Sequence, residues 1–204
     1  MTIDRTPTAG RAGRAIRLLL DGRAWLRVTA DELAELPLSD GSELTESGQA
    51  AVEEALGRSR ARLFAVRSLA ARAQSEAELR KKLAARDISE VVIGETIELA
   101  REYRYLDDAE LAGQLARGFR SRGYGRRRAA QGLAARLVPR ELADVALDEA
   151  FGTADEANLA RAALGLRSFG DDDDGRRKAA AFLARRGFSS AVAWEVIRDR
   201  ERAG

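Results

Sequence analysis

The chain has 204 residues, of which 45% are hydrophobic and 33% charged, the balance of a globular chain with a salt-laced surface. It contains neither cysteine nor histidine, which excludes disulfides and thiolate chemistry and removes both the usual zinc ligands and the usual neutral-pH proton carrier. Net charge is only +2, but residues 1–58 carry 10 acids and 7 bases, leaving 28 bases against 23 acids in residues 59–204.

Aromatics are 5% of the chain, so the apolar fraction is mostly Ala and Leu, a composition that favours helices over sheets. No apolar run approaches the ~20 residues of a membrane span, and a cysteine-free chain fits a reducing cytosol. A cytoplasmic protein without a membrane partner is therefore expected. No phosphate loop, dinucleotide fingerprint or nucleophile elbow is present, so neither a cofactor nor enzymatic activity is expected.

Residues 1–14 are rich in Thr, Gly and Arg, lack the apolar centre of a secretory signal, and read as a disordered lead. Residues 15–58 form a separate N-terminal extension. Ile16, Leu18 and Leu20 alternate, Asp21-Gly22 turns the chain, and Trp25, Leu26 and Val28 follow, a strong hairpin signal. Thr29-x-x-Glu32 caps a short helix that ends before Pro37, and a longer helix starts near Thr45. A lone hairpin is marginal in water, so it must pack on a helix or a partner.

From residue 59 onward the sequence repeats itself at a spacing of fifty residues. Leu83, Leu133 and Leu183 align, as do Arg86, Arg136 and Arg186, then Ile88, Val138 and Phe188, and finally Ile97, Leu147 and Ile197. Each repeat reads as three helices, the second of them basic and the third amphipathic. The expected boundaries are 59–105, 106–152 and 153–204. Ser75-x-x-Glu78, Asp107-x-x-Glu110 and Thr153-x-x-Glu156 have the form of capping boxes. Pro139 suits a helix start, and Gly170 and Gly187 mark helix ends. A three-helix unit of ~50 residues has a small core, so the expected architecture is mainly α, with three repeats packed into an elongated, curved array.

Tandem three-helix repeats containing Leu106-Asp107-Asp108, Arg117, Arg120, Gly123, Gly125 and Arg128 resemble the RecX family over residues 59–200. Two positions depart from the family pattern: Arg86-Asp87 and Arg136-Leu137 stand where an Arg-Gly pair is usual, which leaves the geometry of those turns open. The resemblance implies a non-enzymatic regulator, a monomer that binds RecA–DNA filaments and lowers strand exchange, ATP hydrolysis and coprotease activity in DNA repair and the SOS response.

The sharpest local feature is Arg117, Arg120, Arg122, Arg126, Arg127 and Arg128, within twelve residues that hold no acid. The last three fall at a helix N-terminus, where the macrodipole disfavours cations by ~0.3–1 kcal/mol each. An anionic partner, phosphate or an acidic protein surface, would offset that cost. Arg176, Arg177 and Lys178 repeat the arrangement behind the acidic run Asp171–Asp174, which can neutralise them. Arg80, Lys81 and Lys82 read as ordinary pairing with Glu76 and Glu78. Tyr124, flanked by Gly123 and Gly125, is the aromatic best placed to stack on a base or fill a partner's pocket; Tyr105, Trp25 and Trp194 read as core. Asp107-Asp108 reads as a helix cap rather than a metal site. These residues leave two readings beside the family's: a single- or double-stranded DNA-binding helical module acting through its basic second helices, and a scaffold for several partners. Shape is checked by small-angle scattering. A compact chain of this length has a radius of gyration of about 17 Å, and the elongated array should give roughly 20 Å or more.

Overall fold

Asp21, with φ of 50°, turns the chain between two strands, as the Asp-Gly pair predicts. The computed structural model describes residues 3–8, 15–21, 23–36, 38, 45–152, 156–165, 167–170 and 172–203. Strands β1 (Ile3–Thr8), β2 (Ala15–Leu20) and β3 (Arg23–Thr29) form one antiparallel sheet in that order. Residues 3–8, expected inside a disordered lead, thus supply a third strand, in register from Ile3 opposite Leu20 to Thr8 opposite Ala15. A two-stranded hairpin leaves one row of β2 backbone groups unpaired, and β1 satisfies it. An edge strand is also where Pro7, with no N–H, is tolerated. Between β2 and β3 the register slips after Leu18, which pairs Leu26, whereas Leu19 pairs Ala24. Trp25 is the extra residue of this bulge.

The hairpin packs on a helix. Thr29 caps α1 (Ala30–Glu35) with both halves of the capping box in place. Thr45 Oγ1 accepts from Gly48 N at 3.1 Å to start α2 (Glu46–Ala71), a helix of 26 residues. Leu18, Val28, Leu36, Val52 and Leu56 form one buried cluster, with Trp25 and Leu26 packed against it. Trp25 Nε1 also donates to Glu53 Oε1 at 2.7 Å. The expected boundary at residue 58 therefore falls inside α2, which runs from the hairpin's support into the first repeat.

Helices α3 (Glu76–Ala84) and α4 (Glu90–Glu102) complete repeat 1; α5 (Asp108–Ser121), α6 (Arg126–Ala135) and α7 (Arg140–Phe151) form repeat 2; α8 (Glu156–Gly165), α9 (Asp173–Arg185) and α10 (Ser190–Ala203) form repeat 3. Leu83, Leu133 and Leu183, aligned in the sequence, are each fully buried, and Ile97, Leu147 and Ile197 nearly so. Each such Leu contributes about 2 kcal/mol of hydrophobic burial. Repeats 2 and 3 have cores of the same plan, Ala129, Leu133, Val138, Ala143 and Leu147 in one, Ala179, Leu183, Phe188, Ala193 and Ile197 in the other. Two expected core aromatics lie outside: Trp194 is 42% exposed and Tyr105 63%. On α10 the stripe of Ala193, Val196 and Ile197 meets the core, and Trp194 falls beside it.

Ser75 and Glu78 form both bonds of a capping box, at 3.1 and 3.3 Å. Asp107 accepts from Glu110 N at 2.8 Å, but Glu110 Oε1 turns instead to Gln114 and Arg117. The third expected box begins at Thr153, outside the described residues. The chain divides into two compact units, one of residues 1–71 and 80–100, the other of 72–79 and 101–204.

The turns after the three second helices have one conformation. Asp87, Leu137 and Gly187 all have positive φ, at 57°, 52° and 89°. The missing glycines in repeats 1 and 2 thus leave the left-handed turn unchanged and load it with strain of ~1–2 kcal/mol per residue. Leu137→Gly is expected to stabilise the chain by about 0.5–1 kcal/mol, with most of the relieved strain offset by the looser unfolded state. Gly187→Ala meets both the positive φ and a contact of 2.6 Å to Arg128 Cβ, and should cost more than ~2 kcal/mol. Urea denaturation of the two variants checks both signs.

Candidate functional site

The arginines singled out in the sequence fall into two groups once their partners are known. On α5, Arg117 Nη2 reaches Glu110 Oε1 at 3.3 Å. Arg120 Nη1 donates to the carbonyl of Ala150 at 2.8 Å, tying the end of α5 to α7. Arg122 lies 5.0 Å from the Phe119 ring centroid. On α6, Arg126 pairs with Asp148 at 2.7 Å, while Arg128 has only a 3.5 Å contact to Gln131. Arg127 is exposed and has no ion-pair partner among the described residues.

Repeat 3 has the same pattern with more acid. Asp172 caps α9 by accepting from Gly175 N at 2.8 Å. Arg176 pairs with Asp173, and Lys178 Nζ with Asp174 at 2.6 Å. The Asp174 hydrogen bond raises the ammonium pKa above its ordinary value. Arg177, fifty residues after Arg127, is likewise exposed and without an ion-pair partner among the described residues. Arg80 reaches across to Glu90 on α4 at 3.0 Å, and Glu76 pairs with Arg101.

Tyr124 is half-buried, its ring edge-on to Phe119 at 5.7 Å and 5.1 Å from the Arg186 guanidinium. Its ring is engaged within the protein. The exposed aromatic pair is instead Tyr103 and Tyr105, 63% exposed each with ring centroids 6.4 Å apart. Asp107 and Asp108 are caps: Asp108 Oδ1 accepts from Glu76 N at 2.9 Å, at the start of α3, and burial pushes its carboxyl pKa upward. Among the described residues no three carboxylates converge as a metal site.

Two further arginines have a role that their alignment signalled without explaining. Arg136, which caps the end of α6, donates through Nη2 to Ala73 O at 2.6 Å, and its own carbonyl accepts from Ser75 Oγ at 2.7 Å. Arg186, which caps the end of α9, donates to Gly123 O at 3.0 Å, and its carbonyl accepts from Gly125 N at 2.8 Å. Each residue of the second junction lies fifty residues after its counterpart in the first: Arg186 after Arg136, Gly123 after Ala73 and Gly125 after Ser75. The end of α9 thus meets the start of α6, and the end of α6 meets the start of α3. Partial negative charge at one helix C-terminus faces partial positive charge at the next N-terminus, so part of the cost of placing arginines there is offset inside the protein.

Three family models match the chain: the first, second and third three-helix domains of RecX, at residues 61–98, 107–147 and 158–197. This chain belongs to the RecX family. The Regulatory protein RecX of Deinococcus radiodurans is 36% identical over 138 residues, 67% of this chain and 66% of that protein. The Regulatory protein RecX of Mycolicibacterium vanbaalenii is 31% identical over 147 residues, 67% of this chain and 80% of that one. Among solved structures, the regulatory protein RecX crystal structure superposes with a TM-score of 0.60 at 23% identity, covering 97% of this chain and 98% of that one. RecX from Lactobacillus salivarius gives 0.56 at 18%, covering 70% and 96%. At those identities the likeness is one of fold, and it joins RecX domains with the helical repeats described above. Among the described residues no helix is long and apolar enough to cross a membrane.

The RecX repeat junction contains one strongly shifted carboxyl. Burial opposes the charge on Glu78, but hydrogen bonds from Arg72 and Arg136 outweigh it and hold its pKa at about 2. A folded-state pKa below the unfolded value of 4.5 stabilises above pH 4.5 and loses that contribution as pH falls toward 2. Glu78→Gln should therefore lower the melting temperature at pH 7 and converge on wild type near pH 2–3, as calorimetry across that range will read.

Proposed function

We propose that this chain is a regulator that binds the RecA–DNA filament in the cytoplasm and lowers its recombinase, ATPase and coprotease activities by binding rather than by catalysis. Membership of a family whose relatives are named regulatory proteins supports the reading. The observation that carries it onto residues is the pair Arg127 and Arg177. They align at fifty residues on two second helices, Arg127 in the first turn of α6 and Arg177 one turn inside α9; both are exposed, and neither has an ion-pair partner among the described residues. Arg122 and Arg128 extend the Arg127 surface. Arg117, Arg126, Arg176 and Lys178 contribute less, because an external carboxylate or phosphate must compete with the partner each already has. Arg120 and Tyr124 act through the fold.

Guanidinium forks accept carboxylate and phosphate alike, so the partner is separated by experiment. In DNA-stimulated ATP hydrolysis by RecA, the wild-type chain should lower turnover. Arg127→Glu combined with Arg177→Glu should raise the concentration needed by about tenfold, since reversing charge at an anion-facing surface opposes association. Arg127→Glu places an acid in the first turn of α6, which favours that helix by ~0.3–1 kcal/mol; Arg177→Glu falls one turn inside α9, after Asp173 and Asp174, and circular dichroism should show the double variant folded. Binding to filaments should exceed binding to bare DNA across a salt series. Tight, salt-steep binding to bare DNA with no effect on ATP turnover overturns the regulator in favour of a DNA-binding module.

A further inference from the structure

A second acid-free stretch runs from Ala55 to Ser75 and holds five arginines, Arg58, Arg60, Arg62, Arg67 and Arg72. Most of it forms the later half of α2. There Arg58 is bound by Glu54 and Glu95, each at 2.8 Å, and Arg60 by Glu32 at 3.1 Å. Arg62 and Arg67 are exposed and have no ion-pair partner among the described residues. The hydrogen bond from Arg58 holds the Glu95 pKa down, with Arg62 a more distant contributor. Both oxygens of that carboxylate already accept from Arg58, at 2.8 and 3.3 Å.

This half of α2 is apolar on two faces. Ala61 and Ala65 are buried on one. The other carries Leu63 and Val66, 47% and 58% exposed, with Ala70 exposed one turn further on. Exposed apolar residues scattered singly need no explanation. These three instead fall on one stripe, at successive spacings of three and four residues. That is the a/d spacing of a coiled-coil seam, and in the same register Arg62 takes a g position and Arg67 an e position. The arginines therefore flank the apolar stripe on both sides.

We propose that this outer face of α2 docks an acidic amphipathic helix of a protein partner, its apolar residues packing on Leu63, Val66 and Ala70 and its carboxylates meeting Arg62 and Arg67. Charge complementarity selects that occupant. In a paired seam the e residues of one helix meet the g residues of the other, so a second copy of α2 would set arginine against arginine. A nucleic acid would satisfy the arginines but leave Leu63 and Val66 in water. A helix with apolar residues at a and d and acids at e and g satisfies both. The seam lies in repeat 1, shares no residue with the Arg127 and Arg177 surface, and does not rest on the filament reading.

The test needs no recombinase, so either proposal can fail alone. The full chain is titrated, by fluorescence anisotropy at low and moderate salt, against three labelled three-heptad peptides. One has Leu at a and d and Glu at e and g, and the second has Lys in place of Glu. The third keeps Glu but has Ala in place of Leu, which preserves helix propensity. Like charges at e and g oppose self-association of the peptides. The first should bind more tightly than either other by about tenfold or more. Arg62→Glu with Arg67→Glu should reverse the preference, so that the Lys peptide binds and the Glu peptide is released. Leu63→Ala with Val66→Ala should weaken the first peptide by about tenfold, and Arg127→Glu with Arg177→Glu should leave it unchanged. Circular dichroism should show all variants folded. Equal binding of the Glu and Lys peptides, or Glu-peptide binding that survives the charge reversal, overturns the proposal. So does a concentration-dependent dimer in sedimentation that Leu63→Ala with Val66→Ala abolishes, which would make the seam an interface between copies of this chain.

Discussion

The reciprocal bonds made by Arg136 and Arg186 are the constraint on which the repeat junctions depend. A helix leaves its first N–H groups and last carbonyls without partners inside the helix. Here the carbonyl that caps the end of one second helix accepts from Ser75 Oγ or Gly125 N at the start of another, while the same residue's guanidinium donates to the loop carbonyl two residues earlier. One side chain and its own backbone thereby satisfy both sides of a junction. Gly125 is required by the closeness of the approach, since a Cβ there would meet the carbonyl carbon of Gly187 at 2.8 Å. In repeat 1, Arg86 has a different use, lying 3.6 Å from the Phe64 ring centroid and donating to Lys82 O at 2.8 Å.

The first junction is the more polar of the two. Glu78, the acceptor of Arg72 and of Arg136 Nε, and Asp108, the acceptor of Glu76 N, bring two carboxylates to the start of α3. There they favour the helix by its dipole as well as by hydrogen bonds. Their environments push them in opposite directions: Glu78, half-buried but held by two guanidinium groups, is lowered, and Asp108, half-buried with a backbone N–H as its main support, is raised. The equivalent helix in repeat 2 starts with Arg126–Arg128 instead, whereas that of repeat 3 starts with Asp172–Asp174 and places Arg176–Lys178 behind them. A basic helix start therefore belongs to repeat 2 and not to the architecture in general.

A run without acids in the sequence is not a run of free charge in space. Arg126 finds Asp148 from the next helix, Arg117 finds Glu110 seven residues back, and Arg120 is spent on a carbonyl. Among the described residues, what remains without an ion-pair partner is narrower, centred on Arg127 and Arg177, which align at fifty residues. Such sites suit recognition better than a uniformly basic face, because rim cations with a fixed place steer and orient a partner more than they add affinity.

Much of this protein is legible in its sequence because the information is local or periodic. Leu83, Leu133 and Leu183 had to be core, since a fifty-residue recurrence of apolar positions at helical spacing has few other physical causes. The Asp21-Gly22 hairpin and the caps at Thr29, Ser75 and Asp107 each depend on a few neighbouring residues, so their chemistry can be read directly. The family resemblance likewise rested on a contiguous stretch. What tertiary structure alone decided involves partners distant in the chain. Residues 3–8 become a strand only because β2 has an open edge. Tyr124 is turned inward by Phe119 and Arg186, whereas Trp194 stays outside because packing, not hydrophobicity, chooses which stripe of α10 is buried, and Tyr105 lies exposed in the connection between α4 and α5. The departures at Asp87 and Leu137 could not be read as tolerated until the backbone showed the same positive φ in all three turns. Arg136 and Arg186 were visible as aligned letters, but a bond from Arg136 to Ala73 spans 63 residues. No local rule specifies such a bond; only the stacking of one helix end on another does.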